Sequence, residues 1–287
     1  MRIIHTLPLL IRSTSRENDL AMLIDCLNSL RLSSDYHLVI YNQGCLSPDE
    51  LHNLLLQCRV SADVIGSSRN VGIAEARQRC FEFIYAAYPD VPYISEIHVD
   101  MLFPPHWYEP LIRILSETDE PLLCPAIVTA YGELQPLGQY RKLPASSAEK
   151  LQFLEKLPTE GLQNGFVHPV VHRAKALMEV GGYDTRFLRG KQGYEDDSLL
   201  LGYAYYMGTR IRWRPKCCLQ SWVYHATLSQ RMTLDGIHQE FQNNKEGLVA
   251  QYGAYGLRLL SDIHGNQSEF IQLFNQLIPP HRSDGSS

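Results

Sequence analysis

Leu7 to Tyr41 reads LPLLIRSTSRENDLAMLIDCLNSLRLSSDYHLVIY, and it contains a strand, a helix and a strand in succession. The apolar run Leu7 to Ser13 predicts the first strand. Leu20, Leu23, Ile24, Leu27 and Leu30 then recur at helical spacing behind a cap expected at Asp19. His37 to Tyr41 predicts the second strand, ended by the turn residues Asn42-Gln43-Gly44. A helix between two strands is a crossover, so the strands it joins run parallel.

The alternation continues down the chain. Asp49 to Cys58 is a short helix behind Pro48, a favoured first-turn residue, Ala62 to Gly66 a strand, and Ile73 to Ala87 a helix. Tyr93 to Val99 is a fourth strand, Pro105 to Leu115 a helix, and Leu122 to Val128 a fifth strand. Together they predict an α/β fold, a mostly parallel sheet with helices on both faces. Upstream, Ile3 to Ile11 has the proportions of a signal segment. Polar His5 and Thr6 interrupt it and no small-residue cleavage site follows, so a buried first strand is expected instead.

With 287 residues, 45% of them hydrophobic, the chain can bury a full core. A net charge of −5 argues against non-specific binding of nucleic acid or anionic membranes. No apolar run approaches the roughly 20 residues needed to span a bilayer, so no transmembrane segment is expected. The seven cysteines are odd in number and lack metal-type spacing, which predicts reduced thiols and a cytoplasmic location.

In open sheets of this kind ligands sit outside the carboxyl ends of the strands. The residues there are Arg12 to Arg16, Tyr41 to Gly44, Ser67 to Gly72 and His98-Val99-Asp100. At Asn70-Val71-Gly72 the glycine lets the backbone come close, and the helix start after it offers N–H groups to an anion, with Arg69 and Arg77 nearby. An ordinary turn and cap is the alternative. His98 and Asp100, two apart on an extended chain, point the same way and could share a divalent cation. A structural histidine is the other reading of His98.

Gly181 to Leu201 reads GGYDTRFLRGKQGYEDDSLLL. Three carboxylates, Glu195, Asp196 and Asp197, precede three leucines, so the leucines turn inward and the acids are left at a mouth. Acids also suit a helix N-terminus as plain caps.

In this order the motifs resemble family 2 glycosyltransferases with the glycosyltransferase-A fold, from about Leu9 to Ser229. Ile11 to Arg16 stands at that family's first-strand signature, Tyr41 to Gly44 at D-N-G-S, and Asn70-Val71-Gly72 with Ala76-Arg77 at N-x-G…A-R-N. His98-Val99-Asp100 stands at D-x-D, Val180 to Asp184 at V-G-G-F-D, Tyr194-Glu195-Asp196 at the E-D motif, and His225 at a metal-binding histidine.

The resemblance implies transfer of a sugar from a nucleotide-diphosphate donor, a uridine diphosphate sugar by default, with inversion. It implies Asp196 as general base, Glu195 orienting the site or binding acceptor, and a divalent metal on Asp100 and His225, with His98 a third candidate ligand. It places donor or acceptor contacts at Ser13, Thr14, Ser15, Arg16, Asn42, Asn70, Gly72, Arg77, Val99, Tyr194 and Asp197. The sequence departs from the family at Arg12, Ser15 and Tyr41, and at His98, which replaces a carboxylate. Imidazole for carboxylate favours Mn²⁺ over Mg²⁺.

A catalytic domain over 1–230 is expected, its donor half about 1–128 and its acceptor half about 129–230. Within the latter, Ala148 to Leu157 and Arg173 to Val180 predict helices, and Phe166 to Val171, Arg210 to Arg214 and Leu219 to Tyr224 strands. Residues 231–287 form a helical C-terminal extension with a disordered tail at Arg282 to Ser287. The extension could lid the site, hold an acceptor or form a homodimer. The acceptor itself, whether glycan, lipid-linked sugar, protein or small molecule, is not encoded in any motif. A catalytically inactive nucleotide-sugar or carbohydrate binder on the same fold is the alternative function. A nucleotidyltransferase would call for a glycine-rich loop at the first strand, and Ser13-Thr14-Ser15-Arg16-Glu17 has no glycine.

Overall fold

The computed structural model describes residues 2–44, 46–66, 69–208, 212–227 and 236–278. Its first part runs β1 (Ile3–Leu9), a 3-10 turn (Ser13–Ser15), α1 (Arg16–Leu30), β2 (Tyr36–Asn42), α2 (Pro48–Cys58), β3 (Asp63–Gly66), α3 (Ile73–Ala87) and β4 (Tyr93–Glu96). Then come β5 (Met101–Leu102), α4 (Glu109–Glu117), β6 (Leu122–Thr129), β7 (Glu133–Gln135), β8 (Gln139–Tyr140), α5 (Ser147–Leu154) and β9 (Leu162–Asn164). The chain continues through β10 (Val170–Arg173), α6 (Ala174–Val180), α7 (Glu195–Met207), β11 (Lys216–His225), α8 (Ile237–Ile263) and α9 (Ser268–Leu277).

The expected α/β class holds. The main sheet order is β3-β2-β1-β4-β10-β6-β11-β5, and β3, β2, β1 and β4 are mutually parallel neighbours. Beyond β4 the sheet is mixed. β10 runs antiparallel between β4 and β6, while β6 and β11 pair in parallel. The fifth predicted strand therefore does not lie beside the fourth, because a later strand fills the gap between them.

Several boundaries differ from expectation for visible reasons. The first strand is Ile3–Leu9, as the reading of Ile3 to Ile11 as a buried strand expected, and it does not extend to Ser13, since the residues after Leu9 turn away into the 3-10 segment. The first helix starts at Arg16, so Asp19 is no cap. It is buried inside the helix and accepts from Arg12 N at 2.8 Å and Arg12 Nε at 2.9 Å, tying strand exit to helix. The fourth strand stops at Glu96 instead of Val99. Ile97 N donates the last bond to Thr6 O, after which residues 98–100 leave the ladder. Arg212 to Arg214 is not a strand, and the rest of that predicted segment lies outside the described residues, as do the 230/231 boundary and the Arg282 to Ser287 tail.

Helices cover both faces. On one face Leu23, Leu27 and Leu30 of α1, Leu51 of α2 and Leu111 of α4 are fully buried in one apolar cluster with β1 and β2. Each such leucine contributes about 1.5–3 kcal/mol. The other face is covered by α3, α6, α7 and the C-terminal pair α8 and α9, and Leu199, Leu200 and Leu201 all turn into it, as the acidic stretch predicted. The C-terminal extension is thus part of the same core, packed on α7. Cys26, Cys58, Cys80, Cys124, Cys217 and Cys218 are free buried thiols. Among the described residues no helix is long and apolar enough to cross a membrane.

Candidate active site

A pocket of about 250 Å³ opens at the carboxyl ends of β1, β2 and β4. This is where a parallel sheet leaves room, because each strand there hands over to a loop. Its floor comes from Pro8, Leu10 and Ile97, and one wall from Gln43 and the Asn70 to Gly72 loop. Gln43 Oε1 accepts from Val71 N and Gly72 N, both at 3.2 Å, and Asn70 Oδ1 from Gly72 N at 2.9 Å. Gly72 has φ +90°, and a Cβ there would meet Lys191 Cα at 2.7 Å, so only glycine lets these two loops close on each other.

Asp100 and His225 meet through a short strand pair. β5 pairs antiparallel with β11, setting Met101 opposite His225, and Ala226 N donates to Asp100 O at 2.9 Å. Asp100 Oδ1 and His225 Nε2 end 3.5 Å apart. Two ligands about 2.1 Å from one ion lie about 3.0–3.4 Å apart, so this pair needs only a small closure to hold a divalent cation. His98 belongs to the same group, whose ligand atoms all fall within 4.8 Å of one another. His225 Nδ1 is buried and has no hydrogen-bond partner among the described residues. The donor set of one carboxylate and imidazole fits a first-row divalent ion.

Behind the pocket lies a charged network in the core. Arg77 and Glu96 are both fully buried, and Arg77 Nε lies 2.8 Å from Glu96 Oε2. Tyr183 donates its hydroxyl to Glu96 at 2.7 Å, and His172 Nε2 lies 2.8 Å from the other carboxylate oxygen. Burial pushes the Glu96 carboxyl up, but Arg77 and His172 outweigh it and hold the group at about 2. Breaking such a pair from one side costs about 3–5 kcal/mol, which makes it a foundation of the site. The Arg77 head reaches past Glu96 to the pocket, with Nη1 3.3 Å from Asp196 Oδ1 and Nη2 2.5 Å from His98 Nε2.

The acidic turn opens α7. Its three carboxylates occupy the positive end of the helix but face three ways. Glu195 is buried and lines the pocket; Asp196 lines it too, with His168 Nε2 2.8 Å from its Oδ1. Asp197 points to the C-terminal helices, where His264 Nε2 lies 2.8 Å from its Oδ1. Burial lowers the pKa of His168 against the pull of Asp196, so the ring is neutral and Nε2–H donates.

The loop before α7 is held from behind by α8. Asn244, fully buried, accepts from Gly190 N at 2.6 Å and donates to Gly193 O at 2.8 Å, while Glu240 accepts from Lys191 N at 2.8 Å. Lys191 O in turn accepts from Ile73 N at 2.8 Å, the first residue of α3. This strap sets Lys191 and Gln192 on the pocket wall. Apart from histidines, Lys191 is the one basic residue lining it among the described residues.

Of the residues expected in a site, the structure gathers Asn70, Gly72, His98, Val99, Asp100, Glu195, Asp196 and His225 around this pocket. Ser13, Thr14, Ser15 and Arg16 are not in its lining, and Arg16 pairs with Glu50 on the surface at 2.7 Å. Asn42 donates to Leu46 O at 2.7 Å, bracing its own turn. Arg77 stands beneath the wall, and Tyr194 packs edge-on to Phe241. The sequence reading missed Gln43, Glu96, His168, Lys191 and Gln192. Gln43 lay inside a quoted turn and could have been read; nothing in the local pattern around His168 or Glu96 distinguishes them from strand-flanking polar residues.

The model of the family described as glycosyl transferase family 2 matches residues 16–174, more than half of the chain. No curated protein matches it in sequence. Among solved structures, residues 1–349 of S. aureus TarS in complex with UDP-GlcNAc superpose with a TM-score of 0.59 at 11% identity, covering 96% of this chain and 73% of that one. GalNAc-T7 with UDP, GalNAc and Mn²⁺ gives 0.53 at 13% identity, covering 97% of this chain and 56% of that one. At these identities the likeness is one of fold.

Proposed function

The chain belongs to glycosyl transferase family 2 and is a glycosyltransferase, and from that premise we propose an inverting transfer from a nucleotide-diphosphate sugar to an acceptor hydroxyl, in the pocket above β1, β2 and β4. The observation that carries this reading is the meeting of Asp196 with Asp100 and His225 in one pocket. A base and a cation pair on one cavity are what displacement of a diphosphate by a hydroxyl requires. UDP sugars are the donors of first choice. Two proteins of the same fold, TarS and GalNAc-T7, have been solved with UDP-GlcNAc and with UDP and Mn²⁺.

Asp196 takes the proton from the acceptor hydroxyl as its oxygen bonds to the anomeric carbon and the bond from that carbon to the diphosphate breaks. The proton ends on the carboxylate and the electron pair on the departing phosphate oxygen. His168 and Arg77 keep the carboxylate aimed, each through Oδ1. Glu195 orients the site or binds the acceptor, and Lys191, on its strap, supplies positive charge to the diphosphate. Asp100 and His225 are the residues that would hold a divalent cation, Mn²⁺ before Mg²⁺ given the imidazole. When bound, such an ion neutralises charge on the leaving diphosphate.

Calorimetric titration with a panel of nucleoside diphosphates, with and without Mn²⁺, tests this reading. Tight binding of one nucleotide, enhanced by Mn²⁺ and lost in Asp100→Ala, is the expected result. A panel with no binder at all would overturn it in favour of a carbohydrate-binding protein on the same fold. Product stereochemistry, read by proton NMR of the anomeric signal early in turnover, tests inversion separately.

A further inference from the structure

A second cavity, of about 320 Å³, begins one residue along the chain from the catalytic pocket: Val167 lines the one and His168 the other. Its walls come from β7, the loop between β9 and β10, the segment entering β11, and the turn between α8 and α9. Two of its side chains reach the acidic turn. The Phe166 ring meets the His168 ring edge-on with centroids 5.2 Å apart, and His168 bonds Asp196. His264, stacked flat on Phe270, bonds Asp197. From His168 to Phe166 is at most about 7 Å of chain, a distance that the next unit of a bound glycan covers.

The two cavities are opposite in charge. Asp100, Glu195 and Asp196 line the catalytic pocket, whereas among the described residues no carboxylate lines the second cavity. Its cation is Arg214, partly buried and with no carboxylate paired to it among the described residues. A guanidinium drawn from water without a counter-ion is costly, and its planar fork matches the oxygens of a carboxylate or phosphate. The other polar groups are amides. Gln135 donates Nε2–H to Glu133 at 2.9 Å and keeps its carbonyl oxygen to accept, and Asn164 and Gln267 can each donate and accept, as hydroxyls require. Amides and the Phe166 ring suit a sugar, and Arg214 suits one anionic group on it.

We infer, resting on the transfer reading above, that the acceptor is an anionic saccharide, held with its carboxylate or phosphate on Arg214 and its nucleophilic hydroxyl at Asp196. The charge difference between the cavities sets this direction. An anionic group at the catalytic end would face carboxylates, while at the Arg214 end it meets a cation and amide N–H groups. The C-terminal extension then serves both substrates. Asn244 of α8 braces the loop on the donor side, and the turn after α8 walls the acceptor side.

Titration of ¹⁵N-histidine-labelled protein with methyl β-glucoside, methyl β-glucuronide and methyl β-glucoside 6-phosphate, followed by NMR of the ring nitrogens, tests the inference. The probes share one ring and differ in a neutral group, a carboxylate or a phosphate. A charged probe should bind at least about five-fold tighter than the neutral one and shift the His264 signal, and the tighter of the two charged probes names the anion. Arg214→Gln should abolish the preference, and Asn164→Trp, which fills the cavity from an exposed position, should weaken all three at least about ten-fold. UDP affinity should stay within about two-fold in both variants. In transfer to a charged glycan, Arg214→Gln should raise acceptor KM about ten-fold and leave donor KM unchanged. Equal binding of neutral and charged probes, binding that leaves His264 unmoved, or no binding of any probe would overturn the inference alone. Failure to bind any nucleoside diphosphate, with the charged preference intact, would overturn the donor reading and with it the acceptor role, leaving a site for anionic sugars. The comparison of probes in the unaltered protein decides even if a variant fails to fold.

Discussion

His168 Nε2 lies 2.8 Å from Asp196 Oδ1, and Arg77 Nη1 approaches the same oxygen at 3.3 Å, so one atom of the carboxylate is anchored by two donors from the core. Neighbouring Asp197 turns the other way, to His264. Asp196→Asn should therefore lower the transfer rate by about 10²–10⁴-fold, the usual worth of a general base, and leave nucleoside diphosphate affinity within about three-fold. Asp197→Asn should keep most of its turnover. Steady-state kinetics on both variants decide, and near-normal turnover in Asp196→Asn beside a dead Asp197→Asn would transfer the role to Asp197.

His168 is a positioning residue on this account, acting only through Asp196. Burial holds the ring neutral, so its contribution is one N–H. Truncation in His168→Ala should lower kcat about ten-fold with little change in donor KM, since one neutral hydrogen bond to a charged group is worth about 1.5–3 kcal/mol and Arg77 remains. His168→Gln, which keeps an N–H of similar reach, should recover part of the loss. If Ala and Gln variants match each other, the ring is packing and not aim.

Much of this was legible in the sequence, and the reason is local. The crossover units show through the alternation of strand-like and helix-like segments, and the helix Ile73–Ala87 matches its expected bounds. Asp100 and His225 could be named from motif order, though only β5 pairing with β11 explains why they meet across 125 positions of sequence. What stayed hidden depends on contacts between distant segments. Glu96 reads as a strand residue until Arg77, from another element, is set beside it. His168 gains meaning only when α7 delivers Asp196, and the antiparallel insertion of β10 between β4 and β6, though a strand was expected at Phe166 to Val171, is invisible to a rule that reads neighbours in sequence as neighbours in the sheet.

The strap from α8 couples the C-terminal extension to the pocket. Asn244 satisfies Gly190 N, Gly190 O and Gly193 O at once, from a fully buried position. Asn244→Ala leaves these backbone groups without partners, at a cost of about 1–3 kcal/mol for the most buried of them. We expect a lower unfolding midpoint and a several-fold rise in donor KM, because Lys191 and Gln192 lose their fixed place, with kcat less affected. A stability loss with donor KM unchanged would show that the strap supports the fold without shaping the donor side.

Acid should weaken the protein in two stages, for two buried groups titrate away from their ordinary values in the same sense. Burial pushes the His5 ring down from 6.5 to about 3. Glu96, which burial alone would raise, is held by Arg77 and His172 at about 2 against an ordinary 4.5. In both cases the unfolded chain takes up its proton at higher pH than the folded one. Their stabilising contribution is complete above about pH 6.5, declines from there as His5 favours the unfolded state, and declines more steeply below about 4.5 when Glu96 joins. It is spent once pH falls through the folded values near 3 and 2. Each group contributes a slope of about 1.4 kcal/mol per pH unit, and His168, also lowered by burial, adds to the upper stage. Urea unfolding at pH 7.5 and 5.5 measures that stage. His5→Gln keeps a polar group against Ser95 but cannot take a proton, so the loss of stability between the two pH values should shrink by about 1.4 kcal/mol, the slope over the one unit below 6.5. A His5→Gln protein with undiminished pH dependence would mean that the ring is protonated in the fold, and that its burial is offset by charge the hydrogen bond to Ser95 does not explain.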